Sequence, residues 1–433
     1  MSKPVNIGLV GLGTIGTGVA SLFYEKSATF AARTAAPVRL TQIADKDLSE
    51  RDVSIPDGVL SSDVDGLLSN PDIDIVIELV GGTGFARTVV LKAIENGKHV
   101  VTANKALLAA HGEEIFRAAH DKCVDVAFEA AVGGSIPILK ALRESLSTSR
   151  IDSVYGIVNG TTNYILTRMA NEGAPYDELL RSAQDAGFAE RDPSADVKGW
   201  DSQQKLAILM RLAFGTVVRA DDILCEGIEH ITPLDIDYAR EFGYAIKLLA
   251  IAKRHGEKLE ARVHPAMIPA KTLIADVQYE YNAIEVIGDE FGTQVFYGKG
   301  AGRRPTATVV VSDALDIAQR IQSGAPCSRV REIIDRQDAP TLVPPDGLSM
   351  RHYVRLEVKD HAGVLEDIAH VFASENISIE SVVQKGRATA ETVPLVIMTH
   401  EAKEAAVSSA VRQLEELDAV RPPVQRIRIE DLP

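Results

Sequence analysis

Residues 187–205 combine charged side chains at high density in one short segment, GFAERDPSADVKGWDSQQK. The segment contains four carboxylates, three cations, one proline and two glycines, and it leads into the apolar pattern LAILMRLAF, which predicts a helix. At about 100° per residue, Lys205 falls between Leu209 and Leu212, on the apolar side of that helix. A lysine on a buried face requires a partner, and Asp201 lies one turn earlier, where it can pair with it. The pair is either a structural ion pair at a helix start or part of a reactive site.

A second chemically suggestive segment is the glycine-rich run near the N-terminus, VNIGLVGLGTIGTGVASLF. Val5–Val10 has the pattern of a strand, and it is followed by glycines at G-x-G-x-x-G spacing and then by a helical pattern. In a dinucleotide-binding turn the first glycine allows the tight turn, the second lets a pyrophosphate approach the backbone, and the third lets the helix pack on the strand. The amides at the helix start then face the phosphates. We therefore assign dinucleotide binding to the residues of this turn, Gly11, Gly13, Thr14, Ile15 and Gly16.

Polar residues also follow the next predicted strands. Strand patterns in VRLTQIAD, IDIVIELV, KHVVTAN and VDVAFEAAV alternate with helices near 85–96 and 106–122, which predicts a doubly wound parallel sheet. Such sheets bind ligands at the carboxyl ends of their strands, where Glu78, Lys105 and Glu129 occur. By spacing alone, Lys105 fits an exposed lysine at a helix start equally well. The glycine-rich turn after Glu129 also fits a simple connection between a strand and a helix.

The composition restricts the class of protein and its partners. The chain has 433 residues, enough for two or three domains, and 45% of them are hydrophobic, as in soluble globular proteins. The formal net charge of −15 argues against nucleic acid or an anionic membrane as a partner. The three cysteines lie far apart, so we expect neither a disulfide framework nor a zinc site. Because the N-terminus lacks a signal-peptide layout and no apolar run is long enough to span a membrane, we expect a cytoplasmic protein.

Changes in pattern along the chain predict an α/β protein with three domains. Residues 1–136 are expected to form a dinucleotide-binding (Rossmann) domain with a doubly wound parallel sheet, completed by 305–325. Residues 137–304 mix helices and strands and are expected to form an α+β catalytic and dimerisation domain. A linker at 326–349 then leads to 350–433, whose order β-α-β-β-α-β is that of a ferredoxin-like domain.

The charged segment resembles the signature of the homoserine dehydrogenase family, in which an alanine and a glycine precede an acidic-proline-acidic run ending in G-x-D-x-x-x-K. The positions that match in order and spacing are Ala183, Gly187, Phe188, Asp192, Pro193, Asp196, Gly199, Asp201 and Lys205. The segments VTANKALLA, FEAAVGGSIPI, GIVNGTTNYIL and GKGAGRRPTA resemble the family as well. The tail, with DHAGVL after its first strand, resembles an ACT domain, so the resemblance extends over essentially the whole chain.

The resemblance implies reversible, NAD(P)-dependent hydride transfer between homoserine and aspartate 4-semialdehyde, a step in threonine, methionine and isoleucine biosynthesis. Reduction of an aldehyde places alkoxide character on its oxygen, so a positioned proton donor lowers the barrier. The resemblance assigns this role to Lys205, with Asp201 beside it in the catalytic set, and places Lys105 next to the nicotinamide and the reacting oxygen. The implied substrate-binding residues are Glu190, Asp196 and Thr161, with the two carboxylates holding the substrate ammonium group.

The resemblance also implies where a cofactor and a monovalent cation bind. Besides the glycine-rich turn, the implied cofactor-binding residues are Asp45, Lys46, Lys105 and Gly302. Asp45 suits the adenosine ribose hydroxyls of NAD, whereas Lys46 suits the 2′-phosphate of NADP, so we expect both cofactors to work. In the family, a similar turn holds Na+ or K+ through backbone carbonyls, here those of Glu129, Val132, Gly134 and Ile136.

The C-terminal domain is expected to regulate the reaction. Asp360 and Gly363 lie in the loop where its first strand turns into its first helix, the loop that binds an amino acid in the ACT family. Threonine is the expected effector because it is a downstream product of homoserine. We also expect a homodimer or homotetramer, since the sheet of such a domain can pack against a second copy. Alternatively, the domain only dimerises.

Two other functions are considered. An aspartate-semialdehyde dehydrogenase requires a nucleophilic cysteine that forms a thioester, and none of Cys123, Cys225 and Cys327 lies in a setting typical of that family. The second alternative is a non-catalytic nucleotide-binding sensor that reports amino-acid levels through its ACT domain. The complete signature at 183–205 argues against a sensor.

Overall fold

Two compact units, neither of them continuous in sequence, make up the structure. The computed structural model describes residues 3–34, 36–49, 51–325, 339–385 and 392–432. The first unit contains 1–154, 204–222 and 281–340, and the second contains 155–203, 223–280 and 341–433. Most of the linker expected at 326–349 lies outside the described residues, as does Cys327.

A six-stranded parallel sheet forms the N-terminal part of the first unit, as the sequence predicts. Its strands are β1 (Val5–Val10), β2 (Val38–Ala44), β3 (Leu60–Ser61), β4 (Ile75–Glu78), β5 (His99–Thr102) and β6 (Val126–Ala127). Their order is β3-β2-β1-β4-β5-β6, so β1 lies at the point where the winding reverses. Ligands bind at this point in doubly wound sheets, beyond the carboxyl ends of the strands.

Helices alternate with these strands, since a parallel sheet needs both faces covered. They are α1 (Thr14–Thr34), α2 (Val64–Ser69), α3 (Phe85–Glu95), α4 (Lys105–Lys122) and α5 (Ile138–Lys140). The strand expected in VDVAFEAAV is shorter than predicted, because β6 ends at Ala127 and Glu129–Ala131 form a 3-10 turn. The prediction missed this turn because it depends on contacts of the Glu129 side chain with residues further along the chain.

The middle of the chain contributes helices first and long strands afterwards. Its elements are β7 (Ile151–Ile157), α6 (Gly160–Glu172), α7 (Tyr176–Asp185), α8 (Ser194–Val197), α9 (Trp200–Phe214), β8 (Leu224–Cys225), α10 (Pro233–Glu241), β9 (Tyr244–His255) and β10 (Lys258–Pro269). The antiparallel pair β9–β10 is in register over twelve residues of each strand.

The first unit is completed by a hairpin and a helix. The hairpin pairs β11 (Tyr281–Gly288) with β12 (Gly292–Lys299), and α11 (Arg303–Ser323) follows it. Helix α11 packs closely on α1, because a Cβ at Gly18 would lie only 3.0 Å from the Ala307 Cβ atom and 3.1 Å from the Arg303 carbonyl oxygen. Apolar residues of α11, among them Val310 and Ala314, therefore belong to the same core as those of β1.

The C-terminal part has the ferredoxin-like order that the sequence predicts. Its elements are β13 (Thr341–Leu342), β14 (Ser349–Lys359), α12 (Val364–Ser374), β15 (Ile379–Gln384), β16 (Thr392–Thr399), β17 (Ala402–Lys403), α13 (Glu404–Glu415) and β18 (Val420–Ile429). The four main strands are ordered β18-β14-β16-β15, and a core of buried apolar residues joins α12 and α13 to them.

The last strand connects this part directly to the rest of the second unit. β18 pairs with β14 on one side and with β10 on the other, where Ala266 and Met267 lie opposite Arg428 and Ile429. The sheet therefore runs without interruption in the order β9-β10-β18-β14-β16-β15. The 341–433 segment therefore shares hydrogen bonds and buried side chains with 223–280.

Two further findings concern the chain as a whole. None of the helices in the described residues is long and apolar enough to cross a membrane. Cys225 is a free thiol.

Candidate active site

The glycine-rich turn has the geometry that dinucleotide binding requires. Gly11 has a φ of 99°, and a Cβ there would lie 2.7 Å from the carbonyl oxygen of Leu79, so only glycine fits. A Cβ at Gly16 would lie 2.1 Å from the carbonyl oxygen of Gly11, which brings α1 close to β1. At Gly13, by contrast, a Cβ would meet no atom within 4 Å, so the backbone there faces open space. A pyrophosphate group fits this cradle at the start of α1.

The end of β2 is tied to this turn by Asp45. One carboxylate oxygen of Asp45 accepts a hydrogen bond from the Leu12 amide, and the other accepts one from the Asp47 amide at 2.8 Å. Arg51 lies beside them, because its Nε donates to the Leu12 carbonyl oxygen at 3.2 Å and its Nη2 is 3.0 Å from Asp47. Hydrogen bonds from the Ser49 amide and hydroxyl and from Arg51 lower the pKa of Asp47 to about 2. Lys46 is exposed.

A chain of hydrogen bonds links the ends of β4 and β5. Glu78 is fully buried, and its carboxylate accepts hydrogen bonds from the amides of Val80 (2.8 Å) and Gly81 (3.2 Å). It also accepts one from the Thr102 hydroxyl at 2.6 Å, and that hydroxyl in turn accepts one from the Asn104 amide at 3.0 Å. These contacts fix the two loops that follow the strands.

Lys105 is positioned by the residue before it. The Asn104 side chain caps α4, since its oxygen accepts from the Leu107 amide at 3.1 Å while its nitrogen donates to the Gly82 carbonyl at 2.7 Å. Lys105 is the first residue of α4 and is half-buried. The expectation of an exposed helix-start lysine is thus wrong as regards exposure, and right as regards position.

The turn after β6 is organised by the Glu129 side chain. Its two carboxylate oxygens accept the amides of Leu139 and Lys140, each at 2.7 Å, and its own amide donates to Asp313 at 2.9 Å. Burial, together with the charge of Asp313, raises the pKa of Glu129 to about 7 against the stabilising effect of those amides. Lys140 balances the charge of Asp313, at 3.0 Å.

The backbone that was expected to hold a cation follows directly. Gly133 and Gly134 have φ values of 72° and 57°, which are left-handed, and a Cβ at Gly134 would lie 2.2 Å from the Gly300 carbonyl oxygen. The Ile136 carbonyl already accepts a hydrogen bond from the Ile138 amide at 2.9 Å. Gly302, at the other end of this region, is the N-terminal cap of α11 with a φ of 123°.

In the second unit, one buried amide holds two carboxylates of the signature. Asn159 follows β7, and its Nδ2 donates to Asp196 at 2.7 Å and to Asp201 at 2.9 Å. Its Oδ1 accepts from the Thr162 amide at 2.9 Å and so caps α6. Asn159 and Asp201 are each 5% exposed, whereas Asp196 is half-buried and keeps one side toward the surface.

The remaining predicted substrate residues lie nearer the surface. Thr161, in the first turn of α6, donates its hydroxyl to the Phe188 carbonyl at 2.8 Å. Tyr164 stacks on the Phe188 ring with centroids 4.6 Å apart, so the start of the signature is packed against α6. Glu190 is exposed, and its backbone carbonyl accepts a hydrogen bond from the Gln184 side chain at 3.1 Å.

Lys205 occupies the position that the helical pattern predicts. It is half-buried on α9, while Leu206, Leu209 and Leu212 are buried. Asp201 lies four residues earlier in the same helix. A partly desolvated lysine one turn after a buried carboxylate is suited to proton transfer.

Comparisons with known proteins identify the family of the chain. The family model for homoserine dehydrogenase matches residues 137–315, that for the NAD binding domain of homoserine dehydrogenase matches 11–129, and an ACT domain matches 352–419. A homoserine dehydrogenase of Neisseria gonorrhoeae is 43% identical over 433 residues, with 99% of each chain covered. The chain belongs to the homoserine dehydrogenase family. It is therefore an oxidoreductase with an NAD-binding Rossmann domain and an ACT domain.

Two further relatives extend the comparison. A homoserine dehydrogenase of Pseudomonas aeruginosa is 42% identical, covering 99% of this chain and 100% of its own. The crystal structure of a homoserine dehydrogenase from Thiobacillus denitrificans has a TM-score of 0.91 at 41% identity and covers 99% of both chains. The homoserine dehydrogenase fold thus extends over the whole length of this protein.

Three residues that organise these sites were not predicted from the sequence as site residues. Asn159 lies in the segment GIVNGTTNYIL, Glu78 lies at the end of a predicted strand, and Arg51 lies in a connection between two strands. Asn159 and Glu78 share one signal, since each is a polar residue at or just beyond the carboxyl end of a buried strand. The signal for Arg51 was weaker, because only the fold of the β2–β3 connection brings it to Leu12.

The raised pKa of Glu129 predicts a specific dependence of stability on pH. Because the folded protein binds this proton more tightly than the unfolded chain, the contribution of Glu129 is fully present below about pH 4.5 and is lost as pH rises through about 7. The loss amounts to about 3 kcal/mol. Urea unfolding at pH 5 and pH 8 should show that Glu129→Gln removes much of this decline. The control is Glu113→Gln, which changes an exposed carboxylate. An equal loss of unfolding free energy between pH 5 and pH 8 in wild type and Glu129→Gln would contradict the prediction.

Proposed function

We propose that this protein catalyses the reversible, NAD(P)-dependent interconversion of L-homoserine and L-aspartate 4-semialdehyde. The observation that carries the proposal is that the Asn159 side-chain amide donates to both Asp196 and Asp201. Lys205 lies one turn after Asp201 on α9. The arrangement provides a carboxylate for an amino-acid ammonium group and a held cation for a reacting oxygen. Both are needed by a zwitterionic substrate that carries an alcohol or an aldehyde.

Asp196 is proposed as the main partner of the substrate ammonium group. Asn159 donates to one of its oxygens, which fixes the carboxylate and leaves the second oxygen for a ligand. Glu190 and Thr161 are proposed to complete the binding of the amino-acid group. Since Glu190 is exposed, its contribution is expected to be smaller than that of the half-buried Asp196.

Lys205 is proposed as the acid-base residue. The nicotinamide, when bound, supplies or accepts the hydride. Lys205 gives a proton to the oxygen as the aldehyde is reduced, and it takes that proton back when homoserine is oxidised. Lys105, placed at the start of α4 by Asn104, is proposed to hold the same oxygen and the cofactor. Asp201, one turn earlier on α9, is proposed to position Lys205.

Replacing Lys205 tests this role. In Lys205→Ala we expect kcat to fall about 100-fold or more, because the proton donor is lost while the carboxylates that bind the substrate remain. The matched control is Lys198→Ala, which removes an exposed lysine of the same signature segment and should leave kcat nearly unchanged. The urea concentration at the midpoint of unfolding should be nearly the same in both variants as in wild type.

Wild-type kcat in Lys205→Ala would reduce Lys205 to a structural lysine.

A non-catalytic sensor is not favoured, since curated relatives that share the full length of the chain are named homoserine dehydrogenase. The sensor would show no homoserine-dependent reduction of NAD(P) in the wild-type protein, so the same assay separates the two functions.

Both NADP and NAD are proposed to serve as cofactor. The Asp45 carboxylate already accepts two backbone amides, which leaves fewer lone pairs for ribose hydroxyls, and Arg51 lies close enough to Leu12 to join Lys46 in neutralising a 2′-phosphate. The monovalent cation is proposed at the carbonyls of Glu129, Val132, Gly134 and Ile136. Its support is the pair of left-handed glycines that turn this backbone.

Arg51→Ala should distinguish the two cofactors. We expect the KM for NADP to rise by about tenfold and the KM for NAD to change little, because only NADP carries the phosphate. The measurement is the ratio of kcat/KM for the two cofactors in wild type and variant. Complete inactivity of the wild-type protein with either cofactor would contradict the proposal, as would an equal effect of Arg51→Ala on both.

Threonine is proposed as an inhibitor that binds at the start of α12. Gly363, the N-terminal cap of α12, has a φ of 98° and no atom within 4 Å of a Cβ position, so its backbone is open to a ligand. Asp360 and His361 line an adjacent cavity of about 740 Å³ together with Thr392 and the start of β18. An amino acid offers a carboxylate for the helix start and an ammonium group for Asp360.

Asp360→Ala tests the effector site without removing the domain. Truncation before β14 is less suitable, because β18 pairs with β10 and its loss would expose buried charges. We expect Asp360→Ala to keep wild-type activity without threonine and to need about tenfold more threonine for half inhibition. Glu366→Ala, an exposed carboxylate in the first turn of α12, is the control. Unchanged threonine sensitivity in Asp360→Ala, or no effect of threonine on the wild-type enzyme, would contradict the proposal.

A further inference from the structure

A buried ionic network lies where β18 joins the sheet of the second unit. Arg262 and Arg428 are each only 1% exposed, and every charged group of the network has a partner of opposite sign. The network consists of two clusters of ion pairs. In one cluster Lys253 and Arg262 pair with Glu260 and Glu430, and in the other Arg426 and Arg428 pair with Glu226 and Glu404. Burying so many charges stabilises a fold little in net terms, but breaking one pair is costly, so the network holds its segments in one arrangement.

Glu226 is the member of the network whose backbone neighbours pack on the signature, and its side chain is 37% exposed. Its Oε2 accepts a hydrogen bond from Arg428 at 2.6 Å, and its Oε1 accepts one from Arg428 at 2.7 Å and one from Arg426 at 3.0 Å. Both arginines belong to β18, in the C-terminal part of the chain. The same two arginines pair with Glu404 at the start of α13.

The backbone around Glu226 packs directly on the signature segment. The Ile228 amide donates to the Val197 carbonyl at 2.9 Å, and the Cys225 thiol lies 3.3 Å from the Lys198 carbonyl. A Cβ at Gly227 would lie 2.2 Å from the Val197 carbonyl oxygen, so the two backbones approach as closely as a glycine allows. Movement of 225–228 therefore displaces Val197.

Val197 is the residue after Asp196, and the two form the end of α8. The Asp196 carboxylate has a fixed partner in Asn159, at 2.7 Å, so a shift of its backbone changes the direction in which its free oxygen points. A cavity of about 360 Å³ adjoins Glu226, Gly227 and Arg426, which gives the segment room to shift once its ion pairs are lost.

We propose that Glu226 is a positioning residue for the substrate: its ion pairs with Arg426 and Arg428 hold 225–228 against Val197 and thereby hold Asp196 in place. The inference rests on the proposed function, since it requires that Asp196 bind homoserine. It also identifies the parameter that the C-terminal domain controls. Because Asp196 is the proposed substrate-binding residue on this path, we expect the C-terminal domain to act mainly on the KM for homoserine.

Glu226→Gln tests the proposal, because the amide keeps the shape of the side chain and removes its charge. We expect the KM for homoserine to rise about tenfold, while kcat and the KM for the cofactor stay within about twofold of wild type. The matched control is Glu260→Gln, which removes a carboxylate of the same network that pairs with Lys253 and Arg262 instead. It should lower stability to urea to a similar degree and leave the KM for homoserine unchanged.

Gly227→Ala provides a second variant with all ion pairs retained. Its added Cβ meets the Val197 carbonyl, so the KM for homoserine should rise as in Glu226→Gln. This variant decides the question if Glu226→Gln does not fold. An unchanged KM in the folded variants, or an equal rise in Glu260→Gln, would overturn the proposal and leave Glu226 a structural residue.

Asp196→Asn, measured in parallel, separates this inference from the proposed function. If Asp196→Asn leaves the KM for homoserine unchanged, the proposed substrate site is wrong and the positioning role falls with it. If Asp196→Asn raises the KM while Glu226→Gln and Gly227→Ala do not, only the positioning role is wrong.

Discussion

A single side-chain amide between two carboxylates is the contact on which the substrate side of this protein depends. Asp196 and Asp201 carry the same charge and would repel each other in a partly buried setting. The two hydrogens on Asn159 Nδ2 satisfy one oxygen of each, and its Oδ1 is used to cap α6. The end of β7, the start of α6, the end of α8 and the start of α9 are therefore tied to one residue. Lys205 inherits its position from this arrangement, since α9 begins beside Asp201.

Carboxylates also hold the loops of the proposed cofactor site in the first unit. Loops that follow parallel strands carry many backbone amides that need partners, and buried carboxylates supply them. Glu78 binds the loops after β4 and β5, Glu129 binds the turn after β6, and Asp45 binds the glycine-rich turn. Each carboxylate fixes a loop next to a residue that we propose to act on cofactor or substrate. Charge is thus used mainly to hold backbone in place.

Much of this architecture is predictable from local sequence patterns. The strand, turn and helix around Gly11–Gly16, the apolar arc that contains Lys205 and the order of the C-terminal elements all depend on residues close in sequence. The sequence does not predict β9, because YAIKLLAIA is an apolar run, interrupted only by Lys247, that fits a helix or a buried strand equally well. The parallel pairing of β18 with β10 was missed as well, since it joins residues more than a hundred positions apart in the chain. The roles of Asn159, Glu78 and Glu226 depend on such distant contacts, and periodicity carries no signal for them.

The most direct test of this account is the catalytic efficiency of Asn159→Ala with homoserine. The control is Asn163→Ala, which removes another buried side-chain amide from the same helix. That amide donates to the carbonyls of Val277 and Tyr279 and not to Asp196 or Asp201. The account predicts that kcat/KM for homoserine falls about 100-fold or more in Asn159→Ala, equivalent to about 3 kcal/mol, and only slightly in Asn163→Ala, with both variants folded. Wild-type kcat/KM in a folded Asn159→Ala enzyme would contradict it.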